Sequence, residues 1–129
     1  MGFMTKYTGE TYALMRILFG LLFACHGSQK LFGFPAELGM DAPAFVIYVA
    51  GPIELIGGLL IAVGLFTSWA AFLSSGLMAA AYWMAHGTQA FWPLVNQGEM
   101  AILYCFAFLF MAAHGSGKWS VDGAMGSSA

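Results

Sequence analysis

Long apolar runs separated by short polar ones set the pattern of this chain. They fall near Tyr12 to Phe32, Phe45 to Phe66, Trp69 to Met84 and Ile102 to Ala112. With its flanks, each run reaches or approaches the ~20 residues a helix needs to cross bilayer hydrocarbon. The pattern predicts an all-α fold, a four-helix transmembrane bundle, as a single membrane domain with spans at about 11–32, 45–66, 69–86 and 98–114. Between spans 1 and 2 lies GFPAELGMDAP, whose Pro35, Gly39, Asp41 and Pro43 are turn formers. The link near Gly64 to Ser68 carries no charge, so spans 2 and 3 are expected to form a tight antiparallel hairpin. HGTQAFWPLVNQG then places Trp92 and Pro93 at a membrane interface, where tryptophan is favoured. After span 4 comes a glycine-rich polar tail, HGSGKWSVDG.

Helical spacing sorts the polar and small positions onto faces. Steps of three or four join Arg16, Gly20, Phe23, Gly27 and Lys30 on span 1. The same steps join Gly51, Glu54, Gly58 and Ile61 on span 2, and Ser68, Ala71, Ser75, Tyr82 and His86 on span 3. Helices in lipid associate through close packing, which small residues permit, so these stripes are read as facing protein.

Composition supports a lipid solvent: 60% of the residues are hydrophobic and 8% charged, against about 45–50% and about 25% in a soluble domain. With four basic residues and a net charge of −2, the chain lacks the basic footprint that nucleic-acid binding requires. The first ten residues are too polar for a signal peptide, so span 1 is expected to remain as an anchor, and Lys6 does not fit a myristoylation signal. Cys25 and Cys105 are too few for a disulfide framework or a zinc site and are read as free thiols. Their similar depth makes a bridge geometrically possible without indicating one. An even number of spans puts both termini on one side, with Lys6, Lys118 and Arg16 on or near it and Lys30 opposite. Positive-inside counting then favours cytoplasmic termini.

A charge at the centre of a span costs about 2.5–3.5 kcal/mol on insertion scales, so Arg16 and Glu54 are expected to be paired, hydrated or functional. Glu54 sits near mid-membrane, Arg16 toward the termini, and His26, His86 and Glu99 toward the loops. Helical side chains lean toward their own N-termini, which turns Glu54 toward the histidines. An Arg16–Glu54 bridge and a pairing of Glu54 with His26 or His86 both remain open. Bland readings exist for each position: Arg16 snorkelling to the interface, Glu54 as a carboxyl fixing helix register, Glu99 favouring the positive end of span 4, and His86 and His114 as interfacial residues. Together, however, Arg16, His26, Lys30, Glu54, Tyr82, His86, Asn96 and Glu99 exceed what four apolar helices need merely to fold. A polar pocket opening toward the loops accounts for them. Carboxylate and histidine groups that exchange protons would suit a quinone. Bis-histidine haem fits poorly, because no c-type attachment motif is present.

The chain resembles the DoxX family of small four-helix membrane proteins over roughly Arg16 to Asp122. The likeness is carried by RILFGLLFACHGSQKLFGF with Arg16, GPIELIGGLLIAVGLFTSWAA with Glu54, NQGE at Asn96 to Glu99, and GSGKWSVD at Gly115 to Asp122. It implies association with bacterial membrane redox systems, such as small subunits of quinol oxidase or thiosulfate:quinone oxidoreductase complexes. No haem, iron-sulfur, flavin or nucleotide motif accompanies it. The expectation is thus a multi-pass subunit of the bacterial inner membrane, in contact with lipid and other redox subunits and compatible with a homo-oligomer. It would hold no intrinsic cofactor and no metal, and would bind a quinone or other apolar small molecule through Glu54, Tyr82, His86, Glu99, Arg16 and His26. The rival is a structural or assembly subunit whose polar residues only lock helix packing. A small transporter is disfavoured by short loops and the absence of an inverted repeat.

Overall fold

The computed structural model describes residues 2–39 and 41–126. Among them every regular element is helical. Helix α1, Thr8–Phe32, follows a single 3-10 turn and ends where Gly33 takes the left-handed conformation at φ 66° and returns its N–H to Gln29 O. Helix α2, Gly51–Val63, continues a π-helical turn, Val46–Ala50. Pro52 explains that turn: it has no N–H to give and its ring crowds the preceding carbonyls, so Gly51 N–H reaches back five residues to Val46 O and the helix widens. Gly64, left-handed at φ 74°, stops α2 at Val63, short of the expected Phe66. Helix α3, Thr67–Ala85, starts almost at once and forms the expected hairpin with α2. The loop after it contains a short helix, α4, Pro93–Asn96, and the polar tail another, α6, Val121–Ala124, neither of which the hydrophobic pattern foretold. Helix α5, Glu99–His114, lies between them.

Residues Thr5–Phe32 and Val46–Val63 are long and apolar enough to cross a membrane, and Glu99–His114 is a shorter apolar helix. In the order α1, α2, α3, α5 the four long helices form a ring. The closest seam is α1 on α2, set by glycines seven residues apart on each helix. A methyl group at Gly20 would fall 2.5 Å from Ala62 N, one at Gly58 would fall 2.5 Å from Ala24 N, and Gly27 is pressed equally hard against Leu55 and Gly51. Across α3 and α5, Ser75 Oγ donates to Cys105 O at 2.7 Å. The ring closes through Phe23, whose centroid is 4.7 Å from that of Phe108 and 5.4 Å from that of Tyr104. Phe23, Ile61, Ala71, Phe108 and Met111 form the buried centre. Leu18, Ile56, Phe72, Leu103 and Phe106 point outward, the apolar exterior expected of a bundle bathed in lipid. Cys25 and Cys105 are both free thiols.

At the terminal end, Arg16 decides between the readings left open for it. It is fully buried and neither snorkels nor reaches Glu54. Its Nη1 donates to Ile61 O and Ala62 O at 2.8 and 2.9 Å, and its Nη2 to Lys118 O and Trp119 O at 3.0 and 2.7 Å. The guanidinium thus joins α1 to the end of α2 and to the returning tail. Asp122 completes the clamp. Its carboxylate accepts from the amides of Phe66 and Thr67 at the start of α3 and from Ser116 Oγ, while its own N–H donates to Gly64 O. Tyr12 Oη, donating to Gly115 O at 2.6 Å, ties the tail to α1 a second time.

Candidate functional site

The polar residues of the opposite, loop-side end are arranged around space. Glu54 lies one turn inside the start of α2, facing inward because Gly51 and Gly58 bring that face onto α1. The partner it meets is Lys30, near the end of α1, with Nζ 2.7 Å from Glu54 Oε2. Neither Arg16 nor a histidine pairs with it, which resolves the alternatives the sequence left open. Both side chains are largely removed from solvent, 15% exposed for Lys30 and 5% for Glu54. At that separation the pair is a close ionic contact in a largely dry setting.

A cavity of about 280 Å³ opens beside this pair, with Lys30, Glu54 and His86 set in walls of Val46, Ala50, Leu77, Met78, Ala81 and neighbouring apolar residues. A second, of about 170 Å³, is bounded by Phe23, His26, Ala101 and Tyr104 and shares Glu54, Met78, Ala81 and His86 with the first. The two therefore adjoin across Glu54 and His86. The widened π turn contributes Val46 and Ala50 to the larger one, so the backbone adjustment forced by Pro52 also shapes the site.

His86 is held by the loop that follows it. Its Nδ1 lies 3.0 Å from Asn96 O. A carbonyl oxygen can only accept, so Nδ1 carries the proton, and in the neutral ring Nε2 keeps its lone pair. Asn96 is itself fixed: buried, with Nδ2 donating to Tyr82 Oη and Ala90 O and Oδ1 accepting from Gly98 N. Tyr82 thus acts on the site through Asn96; it borders a different hollow, on the outer side of α3 and α5.

Of the six residues singled out from sequence, the fold brings His26, Glu54 and His86 to the two cavities and sets Tyr82 just behind them. Arg16 belongs to the terminal clamp, and Glu99 stays exposed in the first turn of α5. Lys30, which helical spacing sets on the inward stripe, is brought to Glu54 by the fold. Tyr104, which within an aromatic helix carries no sequence signal of its own, stands with its ring edge-on to His26, centroids 6.1 Å apart. Among the described residues no group of three or more His, Cys, Asp or Glu could hold a metal ion.

Comparison with known proteins finds relatives of this chain. A Haemophilus influenzae protein of uncharacterised function is 37% identical over 123 residues, covering 91% of this chain and 92% of its own length. An uncharacterised membrane protein of Mycobacterium tuberculosis is 27% identical over 126 residues, with 84% and 77% of the two chains covered. A Bacillus subtilis protein, CatD, whose name assigns it provisionally to the oxidoreductases, is 38% identical over 58 residues, 42% of this chain and 43% of its own. No solved structure matches. The DoxX family profile matches residues 11–87, a stretch that includes Arg16, His26, Lys30, Glu54, Tyr82 and His86. This chain is a membrane protein and belongs to the DoxX family.

Proposed function

We propose that this protein is a small subunit of a redox system in the bacterial cytoplasmic membrane, with both termini cytoplasmic, and that its loop-side cavity receives the head of a quinone or a similar apolar carrier. One observation carries the reading: two adjoining cavities with mostly apolar walls share a carboxylate and a histidine. The larger, at about 280 Å³, lies near the lower end of ligand pockets, about 300–1,000 Å³. Its polar groups suit a ring that alternates between carbonyl and hydroxyl. Lys30 can donate to a carbonyl oxygen, whereas the Nε2 lone pair of His86 can accept from a hydroxyl. The chain has no electron-carrying motif of its own, so its role is to bind and orient the carrier, and the electrons belong to a partner subunit. The name of the partly matching Bacillus relative favours an oxidoreductase setting.

A photoreactive quinone analogue tests the proposal. Crosslinks are expected on the cavity walls around Met78 and Ala81, with labelling reduced several-fold by His86→Ala and unchanged by His114→Ala, because His114 stacks on Tyr12 at the other end of α5. Crosslinks confined to outward leucines, or equal labelling of both variants, would leave the second reading, a purely structural subunit. That reading has its own support in the Arg16 clamp, where a buried charge joins α1 to α2 and the tail through backbone carbonyls. Native mass spectrometry of the lipid-extracted protein would distinguish a bound carrier from partners alone.

A further inference from the structure

Lys30 borders two spaces at once. On its inner side it lines the intramembrane cavity with Glu54 and His86. On its outer side it lines an open, polar hollow of about 530 Å³ at the loop-side surface, together with Gln29, Glu37 and Asp41. The ion pair with Glu54, at 2.7 Å, therefore stands in the wall between water and the membrane interior. We infer that Lys30 and Glu54 form a proton-exchange gate connecting loop-side water to the intramembrane cavity.

The gate works by transfer within the pair. The Lys30 ammonium gives a proton to the Glu54 carboxylate, leaving an amine beside a neutral acid, and the amine then takes a proton from water in the outer hollow, where Glu37 and Asp41 concentrate cations. Glu54, now protonated, faces the cavity. Running the steps backwards returns a proton from the cavity to the loop side, with no electron moved in either direction. Every charged or titratable group facing Glu54 takes part in its balance: Lys30 and His26 from α1, His86 after α3, and Tyr104 from α5. Arginine in place of Lys30 would keep the pairing charge but could not release a proton, since guanidinium stays charged in proteins. The inference deepens the carrier reading above, in which Glu54 serves a bound ligand, yet the gate needs no carrier to operate.

The test uses the full-length protein, free of quinone, in vesicles with one orientation selected. Dicyclohexylcarbodiimide crosses the bilayer and modifies protonated carboxyls, and peptide mass spectrometry reads the adduct at Glu54. Labelling should rise by up to about tenfold per unit fall in loop-side pH and ignore the pH on the terminal side. Lys30→Arg should reduce it to background on both sides. Lys30→Gln, which leaves a buried acid with no cation and hence neutral, should give high labelling independent of pH on either side. Labelling that follows the terminal side, that ignores both sides in the parent protein, or that is unchanged in Lys30→Arg overturns the gate. So does Lys30→Gln labelling that still tracks loop-side pH. Failure of the quinone crosslink alone would leave all these readouts in place.

Discussion

Arg16 shows how a charge can be held inside a membrane bundle without a counter-ion in contact. Its two terminal nitrogens meet four carbonyl oxygens, each hydrogen bond to a charged group contributing about 1.5–3 kcal/mol net. A lysine cannot span them, because its donors radiate from one atom. Arg16→Lys is therefore expected to destabilise the protein by about 2–4 kcal/mol, read as a lower melting temperature in detergent; an unchanged melt would mean the clamp contributes nothing. Asp122 makes the same end sensitive to acid. Burial alone would raise its pKa, but hydrogen bonds from Ser116 and the amides of Phe66 and Thr67 outweigh it and hold the carboxyl below its ordinary value. Because the folded pKa lies below the unfolded value of about 3.9, this stabilisation is fully present above pH ~4 and is lost as pH falls through the lower, folded value. Melting temperature should thus fall below pH ~4 in the parent and fall less in Asp122→Asn, and parallel acid profiles would exclude this role. The sequence exposed the cost of Arg16 but not its partners, since backbone carbonyls leave no trace in residue types.

At the scale of elements, periodicity was enough to find the helix faces. The inward stripes of spans 1 and 2 are the surfaces that meet, and their glycines touch backbone to backbone. Even the Lys30–Glu54 pair was within reach: once Gly27 is set against Gly51 and Leu55, both side chains lean toward their own N-termini and converge. Residue types alone favour Arg16 or a histidine as the partner of Glu54, because Lys30 lies at the end of its span, where a lysine ordinarily reaches water. What periodicity could not supply was the π turn before Pro52 and the helices α4 and α6, all too short to show a repeat. The glycine seam predicts a sharp contrast. Gly58→Ala forces α1 and α2 apart and should destabilise by about 1–3 kcal/mol. Gly76→Ala, with nothing within 4 Å of the added methyl, should stabilise by about 0.5–1 kcal/mol through helix propensity. Unfolding curves for the two variants shifted in the same direction would contradict this packing.

Over the whole molecule the two ends have opposite characters. The terminal end is closed, with Arg16, Asp122 and Tyr12 binding α1, α2, α3 and the tail into one unit. The loop end is open: it holds both cavities, the Lys30–Glu54 pair, the π turn and the polar hollow. Local opening follows few buried contacts and exposed backbone hydrogen bonds, so the loop end should open first, which is what a site that admits a ligand from lipid requires. Hydrogen exchange in detergent micelles should therefore be faster by at least about tenfold, or ~1.4 kcal/mol, in the amides of Val46–Ala50 than in those of Tyr12–Gly20. Arg16→Lys should narrow that gap by speeding exchange at the terminal end alone, including the tail around Ser116 to Asp122. Uniform protection along α1 and α2, or faster exchange at both ends in the variant, would show that the bundle opens as a single unit and that the clamp does not divide it.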